Sequence, residues 1–227
     1  TVTDRLTQWT ECRPVWNRGA HNTFRALEQI EKALPFEIRD AHSDNGGEFL
    51  NAHVYRYLKS RGRPCGFTRS RPYQKNDNAH AEQKNSSVVR DLFGHDRIDD
   101  EALMPELDAV CRMWSAYCNL FRPCVALVEK VREQGRRGTR KKYDAPMTPA
   151  RRLIRSGALP EEKARSLTET AALTNSLRLY ADIERRLARV YRRMSVKTKR
   201  GGLDSDGIPS PSAPPLLRKQ QLMVSTI

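Results

Sequence analysis

Long apolar runs are missing from this 227-residue chain. None approaches the roughly 20 residues needed to span a bilayer, so a membrane protein is not expected. No charged and apolar leader pattern opens it either, which argues against export. Cysteine is scarce and poorly spaced. Cys12, Cys65, Cys111, Cys118 and Cys124 form no CxxC and no Cys/His pair at zinc spacing, so neither a structural zinc site nor a disulfide framework is expected. Such thiols fit a reducing cytoplasm. No internal repeat is present, which excludes solenoids and propellers.

Acid is also in short supply. Lys and Arg number 41 against 27 Asp and Glu, a formal net charge of +14. The imbalance is lopsided: residues 1–100 hold 16 basic and 14 acidic side chains, a net of +2, so residues 101–227 carry the other +12. A nearly neutral front half with a strongly basic back half points to a folded core with a polyanion-binding extension.

What is there reads as α/β. Residues 1–16 suggest two strands joined around Arg5–Gln8, with a helix from about Asn22 to Leu34 stopped by Pro35. Phe36 to Ile38 predicts a short buried strand. Phe49, Leu50, Val54, Tyr57 and Leu58 mark one face of the next helix, and residues 62–76 a short strand plus a loop. A helix is expected from Asn78 to Phe93 with Gly94 as its C-terminal cap, then another from Glu101 to Leu120. In that last helix Trp114 and Tyr117, with Phe121 beyond it, read as packing residues rather than base-stacking platforms. Residues 130–142 hold seven basic side chains, one acid and two glycines, and further helical patterns cover 150–155, 160–172 and 176–194. The Gly-, Ser- and Pro-rich stretch 199–216 predicts disorder. The basic segment Arg185–Arg193 reads equally well as a phosphate-binding helix and as a solvated one.

Two acidic residues stand out. Asp44 follows a short apolar run and precedes Asn45-Gly46-Gly47, a tight turn; Glu82 lies 38 positions later in a predicted helix. On that helix Asn78, Glu82, Asn85, Ser86 and Val89 share a face by i+3/i+4 spacing. Carboxylates so placed can converge on divalent cations, the hard-oxygen chemistry of phosphodiester transfer. Taken singly, Asp44 is an ordinary turn residue and Glu82 an ordinary helix carboxylate. A calcium loop starting at Asp40 fails, since its sixth position is Asn45 rather than Gly and its twelfth Asn51 rather than Glu.

Asp44-Asn-Gly-Gly-Glu-Phe49 resembles the Asp-Asn-Gly-x-x-Phe block of integrase-core, Asp-Asp-Glu transposases of bacterial insertion sequences. Asn76-Asp-Asn-Ala-His-Ala-Glu-Gln-Lys-Asn85 resembles the helix carrying their third acid, and Thr3-Asp-Arg-Leu-Thr-Gln-Trp9 their second core strand. The likeness covers about residues 1–122, and Tyr143-Asp-Ala-Pro-Met-Thr-Pro149 resembles the linker beyond. The Asp44–Glu82 spacing is slightly longer than the family pattern, which Arg61–Phe67 absorbs as a loop insertion.

The resemblance implies an RNase H-like integrase catalytic core over 1–122, followed by a basic linker at 123–149, a helical region at 150–195 and a disordered tail at 196–227. It implies Mg²⁺ or Mn²⁺ held by Asp44 and Glu82 in a two-metal site. DNA contacts would come from Asn45, Lys75, Lys84 and Asn85, with the basic residues Arg136, Arg137, Arg140, Lys141 and Lys142 beside them. The function expected is DNA transposition by metal-dependent cleavage and strand transfer, on double-stranded DNA, by a homo-oligomer in the bacterial cytoplasm at the nucleoid. The family's first Asp falls on a strand before Thr1, so the chain is expected to be an N-terminally truncated, inactive fragment. Asp4, in the next strand, does not replace it. The alternative is a non-catalytic DNA-binding remnant or regulator that occupies transposon ends.

Overall fold

A computed structural model describes residues 1–17, 19–43, 52–60, 65–70, 85–94, 98–132 and 139–200. It is a mixed α/β chain. Strands β1 (Val2–Thr3) and β2 (Thr10–Glu11) pair antiparallel, with Thr3 opposite Thr10. Their turn is held by Asp4, whose Oδ2 accepts from Thr7 N at 2.7 Å, while Asp4 N donates to Trp9 O at 2.8 Å. The Asp4 side chain thus serves its own turn.

Helix α1 (Ala20–Ala33) ends two residues before Pro35. Strand β3 (Asp40–Ser43) runs parallel to β4 (Gly66–Arg69), and α2 (Ala52–Lys59) lies between them in sequence. The strand expected at Phe36–Ile38 is displaced to Asp40–Ser43, and the packing explains why. Phe36 stands edge-on to Trp9, with ring centroids 6.4 Å apart, and Ile38 packs with Val54, Leu58 and Cys65. Their apolar character serves these clusters rather than a buried strand. At Gly66, where β4 begins, a Cβ would sit 2.1 Å from Asp40 Oδ1, so a larger residue there would require the exposed Asp40 carboxylate to swing aside.

A π-helical turn at Asn85–Arg90 runs into helix α3 (Asp91–Phe93). Gly94 then closes it with φ 70°, as its lack of a Cβ allows. Asp100 caps the turn that leads into α4 (Met104–Phe121), its side chain accepting from Ala102 N at 3.2 Å. Beyond α4 come β5 (Leu127–Arg132), β6 (Thr139–Tyr143), α5 (Pro149–Arg155), α6 (Glu161–Leu173) and α7 (Ser176–Arg200). Among the described residues no helix is long and apolar enough to cross a membrane.

The main core joins both ends of the chain. Cys12, Val88, Leu92, Val110, Cys111, Trp114 and Cys118 are buried with Ile183, Leu187 and Tyr191 of α7. Trp114 is buried and stacks on Tyr117, which meets Phe121, so these aromatics are packing residues. α4 also completes the edge of β2. Asn119 Oδ1 accepts from Thr10 N and its Nδ2 donates to Thr10 O, each at 2.9 Å, while Ser115 Oγ accepts from Cys12 N at 3.1 Å. A side-chain amide thereby answers backbone groups that a neighbouring strand would otherwise pair.

Candidate nucleic-acid interface

Asp44, Asn45, Lys75, Glu82, Lys84, Arg136 and Arg137 lie outside the described residues, as does the side chain of Asn85. What the structure does show is where their neighbours sit. Ser43, which precedes Asp44 in the sequence, is the last residue of β3 and lies at the carboxyl end of the parallel pair. In open parallel sheets that end is where ligands bind. It is a polar place: His42 Nδ1 lies 2.9 Å from Thr68 Oγ1, and its Nε2 3.2 Å from the buried Ser70 Oγ. His42 is thus engaged by the hydroxyl of Thr68 in the partner strand and by that of Ser70 just beyond it. On the other side of the sequence gap, Val88 and Leu92 anchor the segment that follows Glu82 in the main core. Tyr191 Oη of α7 donates to Phe93 O at its end. Among the described residues no group of three or more His, Cys, Asp or Glu could hold a metal ion.

Arg140, Lys141 and Lys142 are placed, and they are exposed on β6. The segment read from sequence as a basic linker is an antiparallel β-ribbon. Leu127 pairs with Tyr143, Glu129 with Lys142, Lys130 with Lys141, Val131 with Arg140, and Arg132 with Thr139, with an irregularity between Leu127 and Glu129. Every residue of β6 is exposed, and so are the apolar Leu127, Val128 and Val131 of β5. A two-stranded ribbon with no buried face is marginal in water by itself. Lys130 directly opposite Lys141 makes this one worse, since like charges across a non-local pair destabilise it.

The base of the ribbon is tied down. Ala126 N donates to Asp144 Oδ1 at 2.7 Å, and Asp144 N donates to Ala126 O at 3.0 Å. Arg152 of α5 reaches back: its Nη2 donates to Asp144 Oδ1 at 2.9 Å and to Cys124 O at 2.7 Å, and its Nη1 pairs with Asp144 Oδ2. Hydrogen bonds from Arg152, then from Ala126 N, hold the Asp144 carboxyl down at about 2. Cys124 and Met147 form a backbone bridge below, and Thr148 caps α5 by accepting from Arg151 N at 3.3 Å. A ribbon so clamped at one end projects a dense row of cations from a rigid base. Two-stranded ribbons fit the major groove of B-form DNA, and Lys and Arg meet its phosphates on either side.

Sequence reasoning missed the ribbon, Lys130 as the partner of Lys141, and the Asp144–Arg152 clasp. The apolar Leu127, Val128 and Val131 were the available signal, but without a buried face they show no clean alternation.

A protein of Sinorhizobium fredii, described as "Uncharacterized protein y4rM", is 37% identical to the chain over 153 residues. The matched region is 66% of this chain and 42% of that relative, so the chain spans less than half of the relative's length. No protein-family model matches the chain, and no solved structure does.

Proposed function

We propose that this chain acts on DNA as part of an integrase-like transposase, with the β5–β6 ribbon gripping the duplex and Asp44 and Glu82 serving phosphodiester transfer. The observation that carries the DNA reading is the exposed ribbon, in which Lys130 lies directly opposite Lys141 and Val131 opposite Arg140. Opposed cations at an exposed site suit a ligand that is itself densely anionic. Support for the transfer chemistry is that the strand Asp40–Ser43, which ends one residue before Asp44 in the sequence, is one of a parallel pair, within the order hairpin, helix, strand, helix, strand, helix. That order is the one expected of an RNase H-like core, although among the described residues β1–β2 and β3–β4 form two separate sheets rather than one mixed sheet.

The carboxylates of Asp44 and Glu82 would hold Mg²⁺ or Mn²⁺, both of which prefer hard oxygen donors. When bound, such a cation pair neutralises charge at the scissile phosphate. The chain's own contribution is to orient DNA: Lys75, Lys84, Asn45 and Asn85 flank the two acids in sequence, and Arg136, Arg137, Arg140, Lys141 and Lys142 supply charge further out. On DNA the protein works as a homo-oligomer, since joining two transposon ends needs a copy at each.

The test measures duplex binding and strand transfer by the 227-residue chain with Mg²⁺. If the ribbon engages about six phosphates, log K falls against log salt with a slope of roughly −5. Little transfer is expected, because only two of the three carboxylates implied by the resemblance occur in this sequence. Robust joining abolished by Glu82→Gln would place the first ligand within the chain. Binding without any transfer, unchanged by Asp44→Asn and Glu82→Gln in a longer form of the protein, would favour the regulator that occupies transposon ends. Affinity insensitive to salt would sink the ribbon as the contact surface.

A further inference from the structure

We infer that α7 carries a second phosphate-binding surface, a cleft against α4 that takes one strand of a nucleic-acid backbone. The cleft has a volume of about 530 Å³ and is lined by Met113 of α4 and by Asp182, Arg185, Arg186 and Arg189 of α7. The two helices that flank it are packed together, with Val110 and Trp114 of α4 buried beside Ile183 and Leu187 of α7 in the main core. Two carboxylates hold the arginines in place. Arg186 Nη1 donates to Glu106 Oε2 at 2.8 Å, and Arg185 pairs with Asp182. Arg189 approaches the same Glu106 oxygen at 3.8 Å, beyond hydrogen-bonding range.

Three guanidiniums converge here, and the charge continues outward. Residues 185–200 hold eight Lys and Arg and no acid. Arg185, Arg189 and Arg193 recur every four residues, a rise of about 6 Å per step, so they form one ladder along the helix. Forked guanidiniums match phosphate oxygens in pairs, which makes a phosphodiester chain the fitting ligand for a ladder of this kind. A lipid surface fits less well. The exposed residues over 185–193 are Arg185, Arg189, Arg192 and Arg193, while Leu187, Val190 and Tyr191 are buried in the protein. The apolar face that a membrane helix would insert is already in the core.

This inference rests on the DNA reading above, and the experiment separates the two. The full chain, an Arg185→Gln/Arg189→Gln variant, an Arg140→Gln/Lys141→Gln/Lys142→Gln variant and their combination are titrated with a fluorescent DNA duplex across a salt series. Anionic phospholipid vesicles form a second arm. Arg185 and Arg189 are 73% and 56% exposed at their side chains, so thermal melting of the first variant should match wild type. That variant is expected to lose about tenfold in affinity and to flatten the salt slope by about 2, from two phosphates at about 0.9 each. The loss should recur in the ribbon-variant background. Wild-type affinity and slope in the Arg185/Arg189 variant, with binding lost in the ribbon variant, would overturn the cleft and leave the DNA reading standing. Loss of vesicle binding with DNA binding intact would also overturn it. A wild-type chain that binds no duplex would remove the DNA reading, and this surface with it.

Discussion

Asp144 and Arg152, eight residues apart, close the open end of the β5–β6 ribbon: a carboxylate at the end of one strand is clasped by a guanidinium from the following helix. Arg152 also takes up the Cys124 carbonyl at 2.7 Å, so one side chain ties the start of the ribbon, its end and α5 together.

The clasp has a pH signature. Asp144 is lowered from 3.8 to about 2, chiefly by the hydrogen bonds from Arg152. A carboxyl depressed on folding contributes its stability above the unfolded value and loses it as pH falls through the folded one. The contribution is therefore complete above about 3.8 and gone below about 2. Asp144→Asn should lower stability at neutral pH by about 1 kcal/mol, the worth of a hydrogen bond to a charged group at a partly open site. Thermal melts of both proteins should converge as pH falls through that window. A difference that stays constant down to pH values below about 2 would show that the carboxylate charge is not what clasps the ribbon.

A second carboxylate behaves in the opposite sense. Glu11 is buried beside Arg13, whose Nη1 donates to its Oε2 at 3.1 Å, and it accepts from Trp9 Nε1 at 3.1 Å. Burial raises the Glu11 carboxyl above its usual 4.5 despite the lowering effect of Arg13. Its contribution is then fully present below 4.5 and declines as pH rises through the elevated value. Removing Arg13 strands that charge. Arg13→Met should cost about 3–5 kcal/mol at neutral pH, the usual penalty for breaking a buried pair. The cost should shrink in acid, where Glu11 takes up a proton. Chemical denaturation at neutral and acidic pH measures both, and an equal loss at each would mean that packing rather than charge explains the effect.

These cases show what the sequence made legible. Pro35 marked the end of α1 and Gly94 the end of the segment after Glu82, while the hairpin around Arg5–Gln8 followed from the alternating and β-branched positions of residues 1–16. Such stops are local, set by missing donors and by positive φ, so they survive any tertiary context. Strand β3 was misplaced because a parallel strand takes its register from a distant partner, here β4, and no local pattern carries that information. The π-helical turn at Asn85–Arg90 adds a residue to each hydrogen-bonded loop without changing composition. The ribbon was hidden because alternation records burial, and neither of its faces is buried. Of the candidate site, Arg140, Lys141 and Lys142, expected in a basic linker, stand exposed on β6, while Asp44 and Glu82 lie outside the described residues.

The opposition of Lys130 and Lys141 permits a test in which stability and binding move in contrary directions. If the ribbon has been kept cationic for a polyanion, its sequence is not the most stable one available to it. Lys141→Glu places an acid directly across from Lys130. Opposite charges at such positions contribute about 0.2–1 kcal/mol, and the repulsion of the original pair disappears as well. The variant should therefore show slower amide exchange across Lys130 and Lys141 and an equal or higher melting temperature. Its affinity for duplex DNA should nonetheless fall, and its salt slope should flatten by about 1 for the lost phosphate contact. Charge reversal adds repulsion toward the duplex, so the affinity loss should exceed that of Lys141→Gln. A ribbon that exchanges faster in Lys141→Glu would show that its stability depends on something other than the cross-strand pair. Unchanged DNA affinity would show that this face of the ribbon does not meet the duplex.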